Sequence, residues 1–284
     1  MTASVTASVP ASRRPAAGRP TRHVEHVMGM PISVALRGRH ADDALGRAAW
    51  AATTAVLRDV DRVFSTYRAD SYVSRLGRGE LDLEDCPPEV AEVVALGERA
   101  TAESAGAFSV RRPGPAGGLV LDPSGVVKGW AAERAAAHLA GLPDTDFCLS
   151  AGGDVVCRTV SVDAEPWRIG IEDPLAPRRL IAVVPVHTGA VATSGAAHRG
   201  DHIVDARTGR PPTGVASVTV VTGSLAEADI DATAAYAQGT EAAAWLGTRP
   251  GRTGLVVWAD GSTTSVQAAD EEPVAAILRI PRTA

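Results

Sequence analysis

The sequence is poor in several features that mark particular classes of protein. Aromatic residues make up 4% of its 284 positions, and Lys plus Arg total 28 against 33 for Asp plus Glu, giving a formal net charge of −5. Proteins that bind nucleic acid normally carry a basic excess and aromatic side chains on which bases stack, so the composition predicts no nucleic-acid partner. No apolar run approaches the roughly 18 residues of a membrane-spanning helix, so we predict no membrane span.

Cysteine is also scarce. The chain has three, Cys86, Cys148 and Cys157. Because the number is odd and no two form a C-x-x-C pair, neither a disulfide framework nor a zinc knuckle is predicted. Three partly buried thiols in a reducing compartment are the simplest interpretation. Residues 1–26 lack the apolar segment of a secretory signal and any cysteine that could carry a lipid, which favours a cytoplasmic location.

Three glycine-containing motifs are missing as well. No strand is followed by G-x-G-x-x-G, and the chain has neither G-x-x-x-x-G-K-[ST] nor G-x-S-x-G. These absences argue against a Rossmann dinucleotide site, a P-loop and the nucleophile elbow of a hydrolase. Any phosphate chemistry must therefore use another scaffold.

The remaining composition is that of a globular protein with a sizeable core. Apolar residues make up 45% of the chain, and the mean hydropathy is +0.03. Residues 1–23 are rich in Ala, Ser, Thr, Pro and Arg, and we predict that they form a disordered tail. Residues 24–284 contain no linker and no repeat of fixed period, so they are predicted to form one domain.

The apolar pattern mixes helices and short strands without a regular βαβ alternation, which predicts an α+β fold. Spacings of three and four predict helices over Ala41–Phe64, Pro88–Ser104, Trp130–Leu139, Ala226–Ala237 and Thr240–Leu246. Strands are predicted over Val24–Leu36, Phe147–Ser150, Val155–Val160, Trp167–Ile171, Leu180–Val186, Ala190–Ala192 and Ala216–Thr222, with a closing hairpin of Gly254–Trp258 and Thr263–Gln267 around a two-residue turn, Asp260-Gly261. Arg111–Gly118, dense in Gly and Pro, is predicted to be a loop.

Two clusters combine glycine with charged residues. Asp122-Pro123-Ser124-Gly125, followed by Lys128, lies at the predicted start of a helix, where backbone N–H groups favour anions. A tight turn with a helix cap is the alternative. Ala151-Gly152-Gly153-Asp154 lies between two predicted strands and can be either part of a site or an ordinary hairpin or bulge.

Two further clusters offer a base and metal ligands. Thr193-Ser194-Gly195 precedes His198 and His202, either of which is a candidate general base, although a single histidine is usually structural. Asp229 and Thr233 lie four residues apart on a predicted helix and therefore share one face, which suits two hard oxygen ligands of Mg²⁺. Capping of that helix by Asp229 is the alternative.

Eight short segments follow one another in a specific order. They are Met28-Gly29-Met30; Phe64–Ser71; Gly106–Ser109; Asp122–Gly125 with Lys128-Gly129-Trp130; Ala151–Asp154; Thr193–Gly195; His202–Asp205 with Thr208-Gly209; and Ala228-Asp229 with Thr233. In this order they resemble the ApbE family of FAD:protein FMN transferases. The resemblance extends from about residue 24 to residue 250, and its specificity comes from the combination rather than from any one segment.

The resemblance implies mixed helices and largely antiparallel sheets, with FAD in a cleft between two halves. It implies a Mg²⁺-dependent transferase that moves the FMN half of FAD to a Thr or Ser of an acceptor protein and releases AMP. Such a reaction needs charge neutralisation at the pyrophosphate and a base for the acceptor hydroxyl. Carried over position by position, the FAD contacts would be Met28, Tyr67, Ala107, Phe108, Ser109, Asp122, Lys128 and Val204; the metal ligands would be the Gly125 carbonyl, the Asp229 carboxylate and the Thr233 hydroxyl; and the base would be His202.

The sequence also departs from the family pattern. Ser109 stands where the family usually has Asp, Arg111–Val120 is shorter than the usual segment, and Asp231 lies one position before a second carboxylate of some members. The secretion signal or lipid anchor common in the family is absent. Two alternatives to flavin transfer remain open, namely a Mg²⁺-dependent FAD pyrophosphatase giving FMN and AMP, and a non-catalytic flavin-binding protein.

Overall fold

The computed structural model describes residues 19–113, 117–197, 200–267 and 273–280 and confirms an α+β fold. The strands are β1 (Thr21–Val27), β2 (Met30–Gly38), β3 (Arg111–Pro113), β4 (Leu119–Leu121), β5 (Thr145–Ala151), β6 (Asp154–Arg158), β7 (Trp167–Asp173), β8 (Ala176–Val186), β9 (Thr188–Gly195), β10 (Val215–Thr222), β11 (Thr253–Trp258), β12 (Thr263–Gln267) and β13 (Leu278–Arg279). The helices are α1 (Ala44–Phe64), α2 (Tyr72–Gly77), α3 (Pro88–Glu103), α4 (Ser124–Ala140), α5 (Leu225–Ala237) and α6 (Ala242–Gly247), with short 3₁₀ turns at Leu83–Asp85 and Gly239–Glu241.

An eight-stranded sheet forms the centre of the molecule. Its strand order is β1-β2-β5-β6-β9-β10-β11-β12, and every neighbouring pair is antiparallel. A three-stranded sheet, β13-β8-β7, and the β3–β4 hairpin are separate from it. The largely antiparallel architecture expected from the sequence is therefore confirmed.

The two faces of the central sheet are covered differently. On one face, side chains such as Ile32 and Leu149 join a large apolar core with α1, α3, α4 and α5. On the other face, side chains such as Val191 and Leu255 pack against the inner face of β7 and β8 in a smaller core. The molecule therefore has three layers, and the helix layer holds most of the segments singled out in the sequence.

Helix α4 is largely enclosed within the helix layer. Its buried residues include Val127, Trp130, Ala131 and Ala135, so apolar side chains occur around its whole circumference, as expected of a helix surrounded by protein. It contacts both α1 and α5. None of the helices in the described ranges is long and apolar enough to cross a membrane.

The N-terminal strand prediction was wrong in two respects. Val24–Leu36 was expected to be one strand, but β1 and β2 form a hairpin whose turn residues Met28 and Gly29 have φ angles of 56° and 70°. The apolar alternation continues on both sides of this two-residue turn, and a methionine in a left-handed conformation gives no sequence signal. Strand β1 also begins at Thr21, inside the tail predicted for residues 1–23; residues 1–18 lie outside the described ranges.

Among the other differences from the expectation, three concern how an element begins or turns. Helix α4 begins at Ser124 rather than Trp130, since glycines in its first turns obscure the helical apolar pattern. Part of the predicted loop 111–118 is β-structure, because β3 pairs with β4. The closing hairpin turns through three residues, 259–261, rather than two; Trp258 carbonyl accepts the amide of Gly261, which has φ 82°.

Candidate functional site

The site begins at a close crossing of α4 and α5. A Cβ atom on Gly129 would lie 2.6 Å from the Leu225 carbonyl oxygen and 2.8 Å from the Asp229 Cβ, so only glycine allows the two helices to approach this closely. One turn further along α4, the Glu133 carboxylate accepts hydrogen bonds from the Ser224 hydroxyl at 2.7 Å and the Ala226 amide at 2.9 Å. These contacts fix the start of α5 against α4.

The contacts also establish which residues are level with each other on the two helices. Glu133 contacts the first residues of α5, and Gly129 contacts Asp229 further along α5. The helices are therefore antiparallel at this crossing. One more turn in the same direction reaches Gly125 on α4 and Thr233 on α5. We call this line of residues, Glu133, Gly129 and Gly125 on α4 and Ala226, Asp229 and Thr233 on α5, the α4–α5 seam, and the three expected metal ligands lie along it.

Asp229 is a buried residue within α5 and not a helix cap. The N-cap of α5 is Ser224, whose hydroxyl accepts from the Glu227 amide at 3.3 Å, so the capping alternative is wrong. The Asp229 side chain is 2% exposed. Its Oδ2 accepts from the Gly129 amide at 2.9 Å, and its Oδ1 lies 3.1 Å from the Lys128 ammonium.

Lys128 lies between two buried carboxylates. Its Nζ is 2.5 Å from Asp154 Oδ2 and 3.1 Å from Asp229 Oδ1, and we call these three residues the Lys128 cluster. The other Asp154 oxygen accepts from the Thr193 amide at 3.0 Å. Within the described residues Asp154 Oδ2 has no polar partner other than the Lys128 ammonium.

Burial dominates the electrostatics of the Lys128 cluster. Desolvation and, to a smaller extent, the neighbouring Asp154 charge raise the pKa of Asp229 to about 7 against the opposing effect of Lys128. Burial alone would lower the pKa of Lys128, but the Asp229 and Asp154 carboxylates raise it overall. The single Lys128 ammonium balances one of the two carboxylates, and the raised pKa of Asp229 reflects the cost of the second negative charge in this enclosed region.

Thr233 connects α5 to strand β9. Its hydroxyl is 3.0 Å from the Ser194 hydroxyl, and the neighbouring Thr193 hydroxyl is 2.9 Å from that of Thr219 on β10. Thr233 is half-buried. The Thr193-Ser194-Gly195 segment thus supplies both an amide to Asp154 and a hydroxyl to Thr233, and it connects the Lys128 cluster to Thr233.

Gly125 and Phe108 bring a second segment to the seam. A Cβ on Gly125 would lie 2.9 Å from the ring of Phe108, which is buried in the helix-side core. The carbonyl of the adjoining Ala107 accepts from the Ala206 amide at 3.0 Å. Residues 106–109 therefore lie between the first turn of α4 and the segment 200–210.

The segment 200–210 carries His202 and Val204 on the outside of this region. Both are exposed, and the His202 Nδ1 lies 3.0 Å from the Gly200 carbonyl oxygen. Burial, and then the charge of Asp201, raise the pKa of Tyr236 on α5, which places Asp201 beside the second half of that helix. The segment thus adjoins both Ala107 and α5. His198, the other candidate histidine, lies outside the described residues.

The remaining predicted flavin contacts are more dispersed. Tyr67 is 99% exposed in the turn after α1, and Met28 is half-buried at the β1–β2 turn. Asp122 pairs with Arg112 at 2.8 Å, and the Ser109 hydroxyl accepts from the Arg111 amide at 3.0 Å. No contact among the described residues joins any of these four side chains to the Lys128 cluster.

Asp231 does not belong to the seam. It is buried, but its carboxylate lies 2.8 Å from Arg252 Nε and 3.3 Å from Arg249 Nε. Those arginines also pair with Glu227 and Glu103 at 2.9 Å and 2.6 Å. Two residues from Asp229 on a helix, Asp231 necessarily points to another side, and it anchors α5 to α6, β11 and α3.

The oxygen donors of the seam fit a hard divalent cation. A backbone carbonyl, a carboxylate and a hydroxyl are ligand types that suit Mg²⁺. In the described ranges no group of three or more His, Cys, Asp and Glu side chains could hold a metal. A cation here would therefore need the Gly125 carbonyl and the Thr233 hydroxyl.

Sequence reasoning assigned no role to Asp154, Ser194 or Glu133, although each contacts a seam residue. For Asp154 a signal existed, because a charged residue directly after two glycines in Ala151–Asp154 is unnecessary for a plain turn. Ser194 is part of the Thr193-Ser194-Gly195 segment of the family pattern. Glu133 lies in an ordinary helical stretch, and only the three-dimensional packing identifies its contacts.

A family model and several curated proteins match this chain in sequence. The model of the ApbE family matches residues 28–112 and 111–256. The chain is 33% identical over 133 residues to a FAD:protein FMN transferase of Vibrio cholerae, covering 43% of this chain and 40% of that protein. It is 29% identical over 157 residues to one of Salmonella typhimurium, covering 50% and 44%. The chain thus spans less than half the length of these curated relatives.

Solved structures share the fold over a longer part of the chain. The apo form of a Pseudomonas stutzeri flavinyl transferase ApbE superimposes with a TM-score of 0.74 at 24% identity, covering 88% of this chain and 96% of that one. An ApbE protein of Thermotoga maritima gives 0.75 at 21% identity, covering 88% and 97%. At these identities the likeness concerns the fold.

Proposed function

Because this chain belongs to the ApbE family, we propose that it transfers the FMN half of FAD to a Thr or Ser hydroxyl of an acceptor protein and releases AMP. The observation that carries the proposal is the seam between α4 and α5. There the Asp229 carboxylate lies 3.1 Å from the Lys128 ammonium and accepts from the Gly129 amide, and the Thr233 hydroxyl follows one helical turn further along α5. A site for the charged pyrophosphate of FAD needs this combination of cation-binding oxygens and fixed positive charge.

Three residues of the seam are proposed to hold Mg²⁺. They are Gly125 through its carbonyl, Asp229 through its carboxylate and Thr233 through its hydroxyl. When bound, the ion supplies charge neutralisation at the pyrophosphate. Lys128 keeps Asp229 fixed in orientation, and Asp154 in turn holds Lys128, so the carboxylate is oriented before any ligand arrives.

His202 is the proposed base. A carbonyl oxygen can only accept, so the 3.0 Å contact with Gly200 requires the proton on Nδ1 and leaves Nε2 of the neutral ring as an acceptor. His202 Nε2 takes the proton of the acceptor hydroxyl. The hydroxyl oxygen forms a bond to the phosphorus of the FMN phosphate, and the bond from that phosphorus to the AMP oxygen breaks, so that AMP leaves.

The flavin contacts are proposed for the residues around the seam. Tyr67 offers an exposed ring, which in a folded protein with few aromatics suits a ligand surface. Ala107 and Phe108 form the wall between α4 and the segment 200–210. The remaining contacts with FAD are assigned to Met28, Ser109, Asp122, Lys128 and Val204.

Hydrolysis of FAD to FMN and AMP is the second candidate. The observation that favours it is the exposure of His202, because water can reach this ring as readily as a protein hydroxyl can. The two reactions differ only in the acceptor.

One experiment separates the candidates. The protein is incubated with FAD, Mg²⁺ and an acceptor protein encoded beside its gene, and intact masses and free nucleotides are measured. Transfer predicts an acceptor heavier by one FMN moiety and an equal amount of AMP. Free FMN and AMP with an unmodified acceptor would indicate hydrolysis, and unchanged FAD would indicate binding alone. Omitting Mg²⁺ is the matched control.

A further inference from the structure

Two of the three cysteines lie opposite each other on neighbouring strands. In the β5–β6 hairpin Cys148 pairs with Cys157, and their sulfur atoms are 3.3 Å apart, in a thiol–thiol hydrogen bond. Both are free thiols. Neither takes part in the proposed flavin chemistry, and nothing in the sequence spacing indicated that they would meet.

The geometry of the hairpin determines how close the two side chains lie. The strands are joined by Gly152 and Gly153, with φ angles of 59° and 105°, a two-residue turn whose closing pair, Ala151 and Asp154, is of the hydrogen-bonded kind. The two kinds of pair alternate along an antiparallel ladder. Three steps from the turn, Cys148 and Cys157 therefore form a non-hydrogen-bonded pair, in which the Cα atoms come within the range that a disulfide spans.

The two thiols differ in access. Cys148 is half-buried and Cys157 is buried between the central sheet and the β7–β8 sheet. The hydrogen bond with Cys148, and then burial, raise the pKa of Cys157, so Cys157 keeps its proton at neutral pH. An incoming oxidant therefore meets Cys148 first, because it is the thiol that solvent reaches and the thiolate is the reactive form.

We propose that Cys148 and Cys157 are a modification site, at which a small-molecule disulfide such as oxidised glutathione converts them to a reversible cross-strand disulfide. The Cys148 sulfur attacks one glutathione sulfur, and the first glutathione leaves as a thiolate. The Cys157 sulfur then attacks the Cys148 sulfur of the mixed disulfide and expels the second glutathione. The two protons of the protein thiols end on the two glutathione thiols, and the protein loses two electrons to the glutathione disulfide.

The position of this pair connects it to the proposed site. Strand β6 begins at Asp154, which holds Lys128, and Cys157 lies three residues further along the same strand. The disulfide would fix the register of the hairpin that presents Asp154. The bond itself is independent of flavin chemistry, so its formation and the proposed function can be tested separately.

The test uses the full-length protein equilibrated with oxidised glutathione and then denatured, alkylated and digested. We expect one remaining alkylated thiol, Cys86, a linked peptide pair containing Cys148 and Cys157, and full reversal by dithiothreitol. Three alkylated thiols, or glutathione retained on Cys148, would overturn the proposal. This measurement uses the unaltered protein, so it does not depend on whether any variant folds.

Matched variants localise the bond. Cys86→Ser is expected to keep the linked pair, since Cys86 hydrogen-bonds the Asp82 carbonyl at 3.5 Å and packs against the helix-side core rather than near the β5–β6 hairpin. Cys148→Ser and Cys157→Ser are each expected to abolish intramolecular linkage. A linked pair that involves Cys86, within one chain or between two chains, would contradict the assignment.

Discussion

The two sides of the proposed site are built in opposite ways. The Lys128 cluster and the α4–α5 seam consist of buried and half-buried residues held by helix and strand backbone, with the Lys128 ammonium between two carboxylates. Tyr67, His202 and Val204, which we call the exposed rim, lie on turns and loops and are open to solvent. A region that binds a cation and a pyrophosphate gains from being rigid before the ligand arrives, whereas a region that meets flavin and a second protein must stay accessible.

The largest effect is expected from Asp229→Asn. The amide can still accept from the Gly129 amide, but it removes the only carboxylate proposed to bind Mg²⁺ directly. Because a metal supplies several kcal/mol of transition-state stabilisation, FMN transfer should fall by about 10³-fold or more while the protein stays folded. Acceptor mass against time and the midpoint of thermal unfolding measure the two effects.

Asp231→Asn is the matched control for that variant, since it makes the same change two residues away on the same buried helix. Here the carboxylate lies against Arg249 and Arg252, so the free energy of unfolding should fall by about 1–3 kcal/mol. Activity per folded molecule should be retained. Equal losses of activity in both variants would show that α5 acts only as a structural element.

His202→Ala tests the rim. A positioned base contributes about 10²–10⁴-fold, so transfer should fall by that factor while FAD affinity stays within a few-fold. Replacement of the exposed His26 on β1 is the control and should change neither quantity. If FAD affinity falls as far as the transfer rate, His202 is a binding residue and not the base.

Gly129→Ala tests the closeness of the seam. The added methyl group would meet the Leu225 carbonyl oxygen and Asp229, so the free energy of unfolding should fall by about 1–3 kcal/mol, and Mg²⁺ should bind more weakly. Gly77→Ala, at the end of α2, has nothing within 4 Å of the new Cβ and should be neutral or slightly stabilising. Chemical denaturation of both variants provides the comparison.

The pH dependence of Mg²⁺ affinity should report the titration of Asp229 in the buried Lys128 cluster. With the pKa of Asp229 raised to about 7 by burial, its carboxyl is mostly protonated at pH 6, and a metal ligand must lose that proton. Mg²⁺ affinity should therefore rise by about tenfold from pH 6 to pH 8. Calorimetric titrations of the unaltered protein and of Asp231→Asn should both show this rise, and a flat profile would contradict the assignment.

Tyr67→Ala tests the exposed rim through FAD binding alone. Loss of one stacking partner should weaken FAD binding by about 1–3 kcal/mol, by analogy with stacking of bases on aromatic side chains. Because Tyr67 is 99% exposed, the midpoint of thermal unfolding should not change. FAD titrated into both proteins by fluorescence measures the affinity, and an unchanged value would remove Tyr67 from the flavin contacts.

How far the sequence predicted this structure depends on whether a feature is local. The α+β class and the long helices ending at Phe64 and Ala237 follow from apolar spacing within single segments. The start of α4 did not, because Gly125 and Gly129 are there for close packing against Phe108 and α5 rather than for helix propensity.

The periodicity of apolar residues does not predict contacts between segments that are distant in the chain. Lys128 and Asp154 are far apart in the chain, and no pattern within either segment indicates the ion pair that joins them. The resemblance identified both segments as parts of one family pattern. Only the packing of α4 against β6 and α5 showed that their side chains meet. The Cys148–Cys157 contact has the same origin, since it depends on strand register.

The central claim is that the α4–α5 seam binds the metal and the rim does not. Mg²⁺ titrated calorimetrically into the protein at saturating FAD, without acceptor, tests this directly for the unaltered chain, Asp229→Asn, Thr233→Val, Asp231→Asn and His202→Ala. We expect Asp229→Asn and Thr233→Val to lose most of the Mg²⁺ affinity, and Asp231→Asn and His202→Ala to bind Mg²⁺ within a few-fold of the unaltered protein. Undiminished Mg²⁺ binding by Asp229→Asn, or an equal loss in Asp231→Asn, would contradict the claim.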